Sequence, residues 1–263
     1  MIENIKLVLL DLDGTLLDEN RQVCKGFNET VNNLYKKGIK VGIATGRNFS
    51  SIKFLFPNTY KKLICICCNG SDIYVNDKNI YRSYLKQSTV SKLVDITNEN
   101  NDISIQFIKP DGCVGLIGDR YVELFGACGY SSKAVSSLYA YTDNLILATA
   151  HSEAYPNGFT YKYESLKDEL KMATSWFNCI DFMNLNVSKG EGTKIVSDYL
   201  KISLDEVMAI GDQDNDLEIL QVVGYPVAML NGNEHVKKIA KDITYKTNIE
   251  YGVSDYLNKK FDL

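Results

Sequence analysis

The chain has 263 residues, of which 45% are hydrophobic, and its formal net charge at pH 7 is −4. This length provides one large domain or two moderate ones, and the mild acidity, with no lysine and arginine cluster larger than a pair, argues against a nucleic-acid partner. No apolar run reaches the roughly 18 residues of a membrane helix and the first residues lack the pattern of a signal peptide, so we expect a soluble, cytoplasmic protein without a membrane partner.

Strand and helix patterns alternate along the first part of the chain. They predict the strand Ile5–Leu10, the helix Cys24–Lys37, the strand Ile39–Ala44, the helix Asn48–Phe56 and the strand Leu63–Cys68. The last part repeats the alternation, with the helix Lys189–Leu200, the strand Val207–Ile210, the helix Asn215–Val223, the strand Pro226–Met229 and the helix Glu234–Ala240. Such alternation is typical of a parallel sheet with helices on both faces.

The middle of the chain has a different pattern, with longer loops at Pro110–Gly112 and Pro156–Gly158 and many tyrosines. Its predicted strands are Ile103–Ile108, Val114–Ile117, Leu145–Thr149 and Phe177–Leu185, and its predicted helices are Thr89–Asn100, Ser132–Tyr141 and Tyr163–Met172. We interpret residues 83–185 as an inserted α/β domain. Residues 1–82 and 186–263 then form a Rossmann-like, doubly wound α/β core with a parallel sheet.

The seven cysteines and two histidines favour no further metal or nucleophile chemistry. The cysteine count is odd and no Cys-x-x-Cys pair has a matching partner, so we expect no zinc site. Cys65, Cys67 and Cys68 lie in a predicted buried strand, where free cysteine packs as a small hydrophobic residue. His151 and His235 are too few for a histidine-rich centre, and we expect both to be incidental surface or cap residues.

Two carboxylates, Asp11 and Asp13, directly follow the first predicted strand. Alternate residues of an extended segment face the same side, so both carboxylates can point into one site. Two acids this close repel each other unless a cation lies between them, which implies a metal ion. One alternative is a plain turn. Another is a calcium loop, but such a loop needs further acids, and Thr15, Leu16 and Leu17 stand where they would be expected.

Polar residues also follow other core strands of the predicted sheet. Thr45, Gly46 and Arg47 follow the second strand, and a segment rich in acids, Gly211–Asp216, follows Val207–Ile210. Lys189 begins the helix that leads back to that acidic segment. Each feature alone is explained by a turn, a helix cap or a solvated lysine. Because ligands bind beyond the carboxyl ends of parallel strands, their recurrence at one edge favours an active site.

These segments resemble the motifs of the haloacid dehalogenase-like hydrolases, in the Cof-type phosphatase branch. The resembling residues are Asp11–Thr15 for the first motif, Thr45 for the second, Lys189 within Val187–Gly190 for the third, and Gly211 and Asp212 with Asn215 and Asp216 for the fourth. Asn69–Gly70 is similar to an Asn-Gly turn of this branch, whereas Tyr251 stands where its Asp-Gly-Val segment has an acid. The resemblance covers roughly residues 5–82 and 186–258; in the insertion, which would be the cap domain, it rests on position and size.

The resemblance implies a Mg²⁺-dependent phosphatase that hydrolyses small phosphate monoesters, with sugar phosphates as the first expectation. The partner would be a small phosphorylated metabolite. Asp11 would be the nucleophile that forms an aspartyl phosphate, and Asp13 the general acid and base. Thr45 and Lys189 would contact the transferring phosphoryl group.

The same resemblance assigns the remaining site residues. Asp11, Asp212 and the main-chain carbonyl of Asp13 would bind Mg²⁺, and Asp216 would orient Lys189. The expected substrate-binding residues are Thr45, Gly46, Arg47, Lys189 and Asn215. Two alternatives stay open: a phosphomutase, which returns the phosphoryl group to a sugar, and a non-catalytic protein that binds a phosphorylated ligand.

Overall fold

The computed structural model describes residues 2–24, 26–155, 158–176 and 178–263. Contacts divide the chain into two compact units. The first comprises Met1–Thr45, Leu55–Tyr81 and Ser188–Leu263, and the second comprises Gly46–Phe54 and Arg82–Val187. The segment Gly46–Phe54 thus groups with the second unit, although it falls within the first domain that the sequence predicts.

The secondary structure alternates at both ends of the chain. The strands are β1 (Leu7–Leu10), β2 (Lys40–Ala44), β3 (Ile64–Cys67), β4 (Asp72–Val75), β5 (Lys78–Arg82), β6 (Ser104–Lys109), β7 (Gly112–Leu116), β8 (Ser132–Val135), β9 (Leu147–His151), β10 (Leu170–Trp176), β11 (Cys179–Asn184), β12 (Val207–Gly211), β13 (Tyr225–Ala228) and β14 (Asp242–Ile243). The helices are α1 (Phe27–Lys36), α2 (Phe49–Leu55), α3 (Gln87–Asn98), α4 (Arg120–Ala127), α5 (Lys189–Leu200), α6 (Leu217–Val222), α7 (Glu234–Ile239) and α8 (Gly252–Phe261). Among the helices so described, none is both long and apolar enough to cross a membrane.

The first unit contains a sheet in the order β14-β13-β12-β1-β2-β3-β4-β5. Its strands from β14 to β3 pair in parallel, and β4 runs antiparallel to β3. All four residues of β1 are buried, and the strand lies inside the sheet between β12 and β2. Strands buried on both faces read as continuous apolar runs, which explains why the sequence pattern predicts them well.

The second unit contains a six-stranded sheet in the order β10-β11-β9-β6-β7-β8, antiparallel except between β7 and β8. One face carries an apolar cluster that includes Phe107, Ala148 and Phe182. On the other face Thr149 lies opposite both Gln106 and Asp181, and its hydroxyl donates to the Asp181 carboxylate over 2.8 Å.

Two of the helix predictions for the second unit are wrong. The predicted helix Ser132–Tyr141 begins with β8, which pairs with β7, and ends in a 3-10 turn at Tyr139–Tyr141. The predicted helix Tyr163–Met172 divides into a 3-10 segment, Thr160–Leu166, and the start of β10. Strand preference depends on the neighbours that a segment meets, and here pairing of β8 with β7 and of β10 with β11 outweighed the local helical spacing.

Several predicted segments include residues outside the described part of the chain. These residues are Lys25 in the helix Cys24–Lys37, Pro156 and Asn157 in the predicted loop, and Phe177 at the start of a predicted strand. The described remainder of those two elements corresponds to α1 and β11.

His151, expected as an incidental surface or cap residue, is buried in the second unit with 5% of its surface exposed. Its Nδ1 atom lies 2.7 Å from the Cys179 sulfur, and its ring stacks on Tyr121 at a centroid distance of 3.9 Å. Burial, followed by the nearby Arg120 charge, lowers the pKa of His151 to about 3. The imidazole is therefore neutral in the folded protein at neutral pH.

We expect the fold to lose stability as the pH falls because of His151. The unfolded chain takes up the proton near pH 6.5 and the folded chain only near pH 3, so stability decreases through that interval and is unaffected above it. Between pH 7 and pH 5 this linkage amounts to about 2 kcal/mol. Urea unfolding at both pH values should show a smaller loss for His151→Gln than for the wild type. The exposed His235 provides the control substitution His235→Gln, and equal losses in His151→Gln and the wild type would contradict the assignment.

Candidate active site

The polar residues that follow the parallel strands meet at one edge of the first sheet. Asp11 follows β1, and its amide donates to the Ile210 carbonyl of β12 over 3.0 Å. Thr45 follows β2, and its amide donates to the Ile66 carbonyl of β3 over 2.9 Å. Asp212 follows β12. The pairing of adjacent parallel strands therefore brings residues that are distant in sequence to a single edge.

Lys189, the first residue of α5, reaches the same edge from the helix that packs on the sheet. Ser188 caps α5, since its hydroxyl accepts from the Glu191 amide over 3.1 Å. Lys189 is only 1% exposed, and its ammonium nitrogen lies 2.6 Å from Asp11 Oδ1 and 2.6 Å from Asp216 Oδ1. A lysine is buried this completely only when its charge is paired, so these two contacts explain its position.

A left-handed turn after β3 supports both Thr45 and the start of α5. Cys68, Asn69 and Gly70 all have positive φ angles. The Asn69 amide donates to the Thr45 carbonyl over 2.9 Å. A Cβ atom on Gly70 would lie 2.2 Å from the Ser188 carbonyl oxygen, so only glycine allows this approach of the turn to the helix.

Asp216 connects the lysine to the loop that follows β12. One carboxylate oxygen contacts Lys189, and the other accepts from the amides of Asp212 and Gln213 over 2.9 and 3.3 Å. Asp216 ends a 3-10 turn, Asp214–Asp216, that leads into α6. The Asp216 side chain therefore holds both the Lys189 ammonium and the backbone of the acidic loop.

Asp11, Asp212 and Asp216 form a buried carboxylate cluster, with one oxygen atom of each within 4.8 Å of the others. Burial raises the pKa of Asp11 despite the attraction of Lys189, and the charges of the other two acids raise it further. Burial and Asp216 raise the pKa of Asp212 to about 7. Burial alone lowers the pKa of Lys189, but Asp11 and Asp216 outweigh that effect and raise it. With all three carboxylates ionised, the negative charge of the carboxylate cluster would exceed what one lysine neutralises.

The carboxylate cluster fits a hard divalent cation. Its donors are all oxygen atoms, which Mg²⁺ prefers over the nitrogen and sulfur ligands of zinc. A divalent cation would also favour the ionised forms of Asp11 and Asp212, whose pKa values are raised by burial and by the neighbouring acids. Asp13, a predicted ligand through its main-chain carbonyl, has an exposed side chain outside the carboxylate cluster, and its role stays a prediction.

The remaining predicted site residues are not part of the carboxylate cluster. Gly46 and Arg47 follow Thr45 in the chain but group with the second unit, where the Arg47 guanidinium lies 3.4 Å from the Ser51 hydroxyl. Asn215 is half-buried in the 3-10 turn after β12. Their substrate-binding roles stay predictions.

Sequence reasoning missed one contact at this edge. The Thr15 hydroxyl donates to Asp212 Oδ1 over 2.8 Å, joining residues that are 197 positions apart. The sequence pattern places Thr15 in a turn, and no local pattern indicates a partner so distant in the chain.

The model of the haloacid dehalogenase-like hydrolase family matches residues 8–257. The chain belongs to this family. Two Bacillus subtilis relatives of this hydrolase, YitU and YcsE, are both named 5-amino-6-(5-phospho-D-ribitylamino)uracil phosphatase. YitU is 28% identical over 269 residues, covering 98% of both chains, and YcsE is 25% identical over 264 residues, covering 95% of this hydrolase and 94% of YcsE.

Among solved structures, this hydrolase is similar to SMU.1108c from Streptococcus mutans, with a TM-score of 0.89. The identity is 20%, and the match covers 98% of this hydrolase and 100% of SMU.1108c, which shows the shared fold. The predicted family, α/β fold class and enzyme class, a phosphatase of this family, are thereby confirmed.

Proposed function

We propose that this hydrolase is a Mg²⁺-dependent phosphatase that hydrolyses small phosphate monoesters through an aspartyl phosphate on Asp11. The observation that carries the proposal is the buried ammonium of Lys189, 2.6 Å from Asp11 and from Asp216, beside the carboxylate of Asp212. Hydrolysis of such esters needs a placed nucleophile and positive charge against the transferring phosphoryl group. This group of residues supplies the placed nucleophile and part of the positive charge.

The proposed reaction has two steps. In the first, a carboxylate oxygen of Asp11 attacks phosphorus, the ester P–O bond breaks, and Asp13 gives its proton to the leaving alcohol. In the second, water attacks phosphorus and gives a proton to Asp13, and the bond between phosphorus and Asp11 breaks. Asp11 is then a carboxylate again and inorganic phosphate leaves.

Positive charge would come from two sources. Lys189 neutralises charge next to Asp11 throughout, because its position is held by Asp216. Asp11, Asp212 and the main-chain carbonyl of Asp13 would hold the Mg²⁺ ion, which when bound draws charge from the phosphoryl oxygens. Thr45 would donate a hydrogen bond to the phosphoryl group, and Gly46, Arg47 and Asn215 complete the proposed substrate contacts.

The proposed substrate class is the sugar phosphates and related phosphorylated polyols. It is supported by YitU and YcsE, whose names specify a phosphate ester on a ribityl chain. We assign selection of the substrate to residues 83–185, the proposed cap domain, because the proposed contacts of the core are with the phosphoryl group. The ribitylaminouracil phosphate therefore belongs in the first substrate panel, beside hexose and pentose phosphates.

The test is phosphate release from this panel with Mg²⁺ and with a chelator. Metal-dependent release of inorganic phosphate is the expected result. An isomerised ester without free phosphate would instead identify a phosphomutase. Binding of an ester with no turnover on any member of the panel would identify a non-catalytic binder.

Asp212→Ala is expected to raise the Mg²⁺ concentration for half-maximal activity at least about tenfold, because one carboxylate ligand is lost. The matched control is Asp214→Ala, which removes an exposed acid two residues away and should leave the Mg²⁺ dependence unchanged. Activity titrated against Mg²⁺ at saturating substrate provides the measurement. An unchanged midpoint in Asp212→Ala would exclude Asp212 as a ligand.

A further inference from the structure

We propose that Thr15 is a positioning residue, whose hydroxyl holds the Asp212 carboxylate in the orientation that binds the divalent cation. The proposal rests on the proposed function, and it adds a residue that the metal-ligand set does not contain. Thr15 is 1% exposed, and its hydroxyl is 2.8 Å from Asp212 Oδ1. This buried hydrogen bond links the turn after β1 to the loop after β12.

The turn that presents the hydroxyl is itself well fixed. The Thr15 amide donates to the Leu12 carbonyl over 3.2 Å, and the Leu16 amide donates to the same carbonyl over 2.9 Å. The Gly14 carbonyl accepts from the Asn231 side-chain amide over 2.8 Å. These hydrogen bonds fix the backbone from which the Thr15 hydroxyl reaches Asp212.

Gly14 restricts the rotation of the Asp212 carboxylate on the side of its second oxygen. Gly14 has a φ of +86°, and a Cβ atom there would lie 2.3 Å from Asp212 Oδ2. The carboxylate thus packs directly on the glycine backbone while its other oxygen accepts from Thr15. These two neighbouring residues leave the carboxylate little freedom to rotate.

The remaining contacts of Asp212 fix mainly its backbone. Its amide donates to Asp216 over 2.9 Å, and its carbonyl accepts from the Asn233 amide over 2.9 Å. Gln213 also bonds to the Asp212 carboxylate, but Gln213 is exposed, whereas Thr15 is buried. The orientation of the side chain therefore depends chiefly on Thr15.

The chemistry of the donor suits this role. A hydroxyl orients a carboxylate without bringing a positive charge, so the negative charge of Asp212 stays available to a cation. Lys189 directs its hydrogen bonds to Asp11 and Asp216 instead. The structure thus gives Asp212 a neutral donor, whereas Asp11, the other proposed carboxylate ligand, shares the Lys189 ammonium with Asp216.

The experiment measures Mg²⁺ or Mn²⁺ binding by isothermal titration calorimetry, without substrate, in Thr15→Val, Thr15→Ser and Thr30→Val. Thr15→Val keeps the shape and removes the donor, and we expect its Kd to rise about tenfold or more. Thr15→Ser keeps the donor and should stay close to the wild type. Thr30→Val is the matched control, because Thr30 is equally buried and its hydroxyl donates to Asn258 over 3.1 Å, with neither residue part of the carboxylate cluster.

An unchanged Kd in Thr15→Val overturns the proposal, and so does an equal loss in Thr15→Ser. If Thr15→Val does not fold by circular dichroism, Thr15→Ala makes the same comparison. Asp212→Ala in the same series separates the two levels of inference. If Asp212→Ala also binds the ion as the wild type does, the proposed metal site fails; if only Asp212→Ala loses affinity, the role of Thr15 alone fails.

Discussion

Replacing Asp11 by asparagine is expected to lower kcat by about four orders of magnitude or more, as removal of a catalytic nucleophile does in other hydrolases. Asparagine has nearly the same shape as aspartate, but its amide does not form the acyl phosphate on which the proposed two-step reaction depends. Asparagine fills the same buried space and Lys189 keeps its contact with Asp216, so the variant keeps the packing of the site. The protein should therefore fold normally while turnover is lost.

The measurement is steady-state phosphate release together with acid quench of the enzyme during turnover. The wild type should carry a phosphoryl group on Asp11, detected by mass spectrometry of the peptide, and Asp11→Asn should carry none. The control is Asp214→Asn, which removes one exposed acid from the loop after β12. A kcat within tenfold of the wild type in Asp11→Asn would exclude Asp11 as the nucleophile.

Lys189→Met is expected to destabilise the protein by about 3–5 kcal/mol, because it leaves two buried carboxylates without their cation. The same change should lower kcat by at least about a hundredfold, since positive charge next to the phosphoryl group is lost. Chemical unfolding and phosphate release provide the two measurements. Lys194→Met on the same helix, which removes an exposed lysine paired with Glu191, should have little effect on either.

The stability of Lys189→Met should depend on pH in a defined direction. Burial already raises the pKa of Asp11 in the wild type, and removal of the attracting ammonium raises it further. The folded state then binds more protons than the unfolded state above pH 3.8, so stability decreases as the pH rises. The variant should be closer to the wild type at pH 5 than at pH 8. If the difference in stability between Lys189→Met and the wild type were the same at both pH values, the pairing of Lys189 with Asp11 would be contradicted. In a second test, adding Asp216→Asn to Lys189→Met should recover part of the lost stability.

The meeting of Asp11 and Asp212 was accessible from the sequence because both follow strands of one parallel sheet, and the resemblance to the family assigned Lys189 and Asp216 to the same site. Residues at the carboxyl ends of parallel strands share one edge whatever the details of packing. The family motifs then select those residues from the other acids and lysines of the chain. The contact between Thr15 and Asp212 was not accessible, because it depends on the positions of two loops relative to each other.

The second unit was predicted less well for a related reason. β6, β9 and β11 are central strands with strong apolar patterns, and the sequence indicates all three. β8 and β10 form the edges of that sheet, and their sequences carry helical spacing as well. Pairing with β7 and β11 decided their conformation, which the apolar spacing of each segment alone does not show.

The sequence by itself determined the family, the α/β class of the core and the segments that carry its polar residues, because buried parallel strands and their terminal acids are encoded locally. Only the tertiary structure decided how those residues neutralise and orient one another. The burial of Lys189 between two acids, the raised pKa of Asp212 and the position of Thr15 all arise from desolvation and contact between distant segments. These quantities depend on distances through space, which no spacing along the chain encodes.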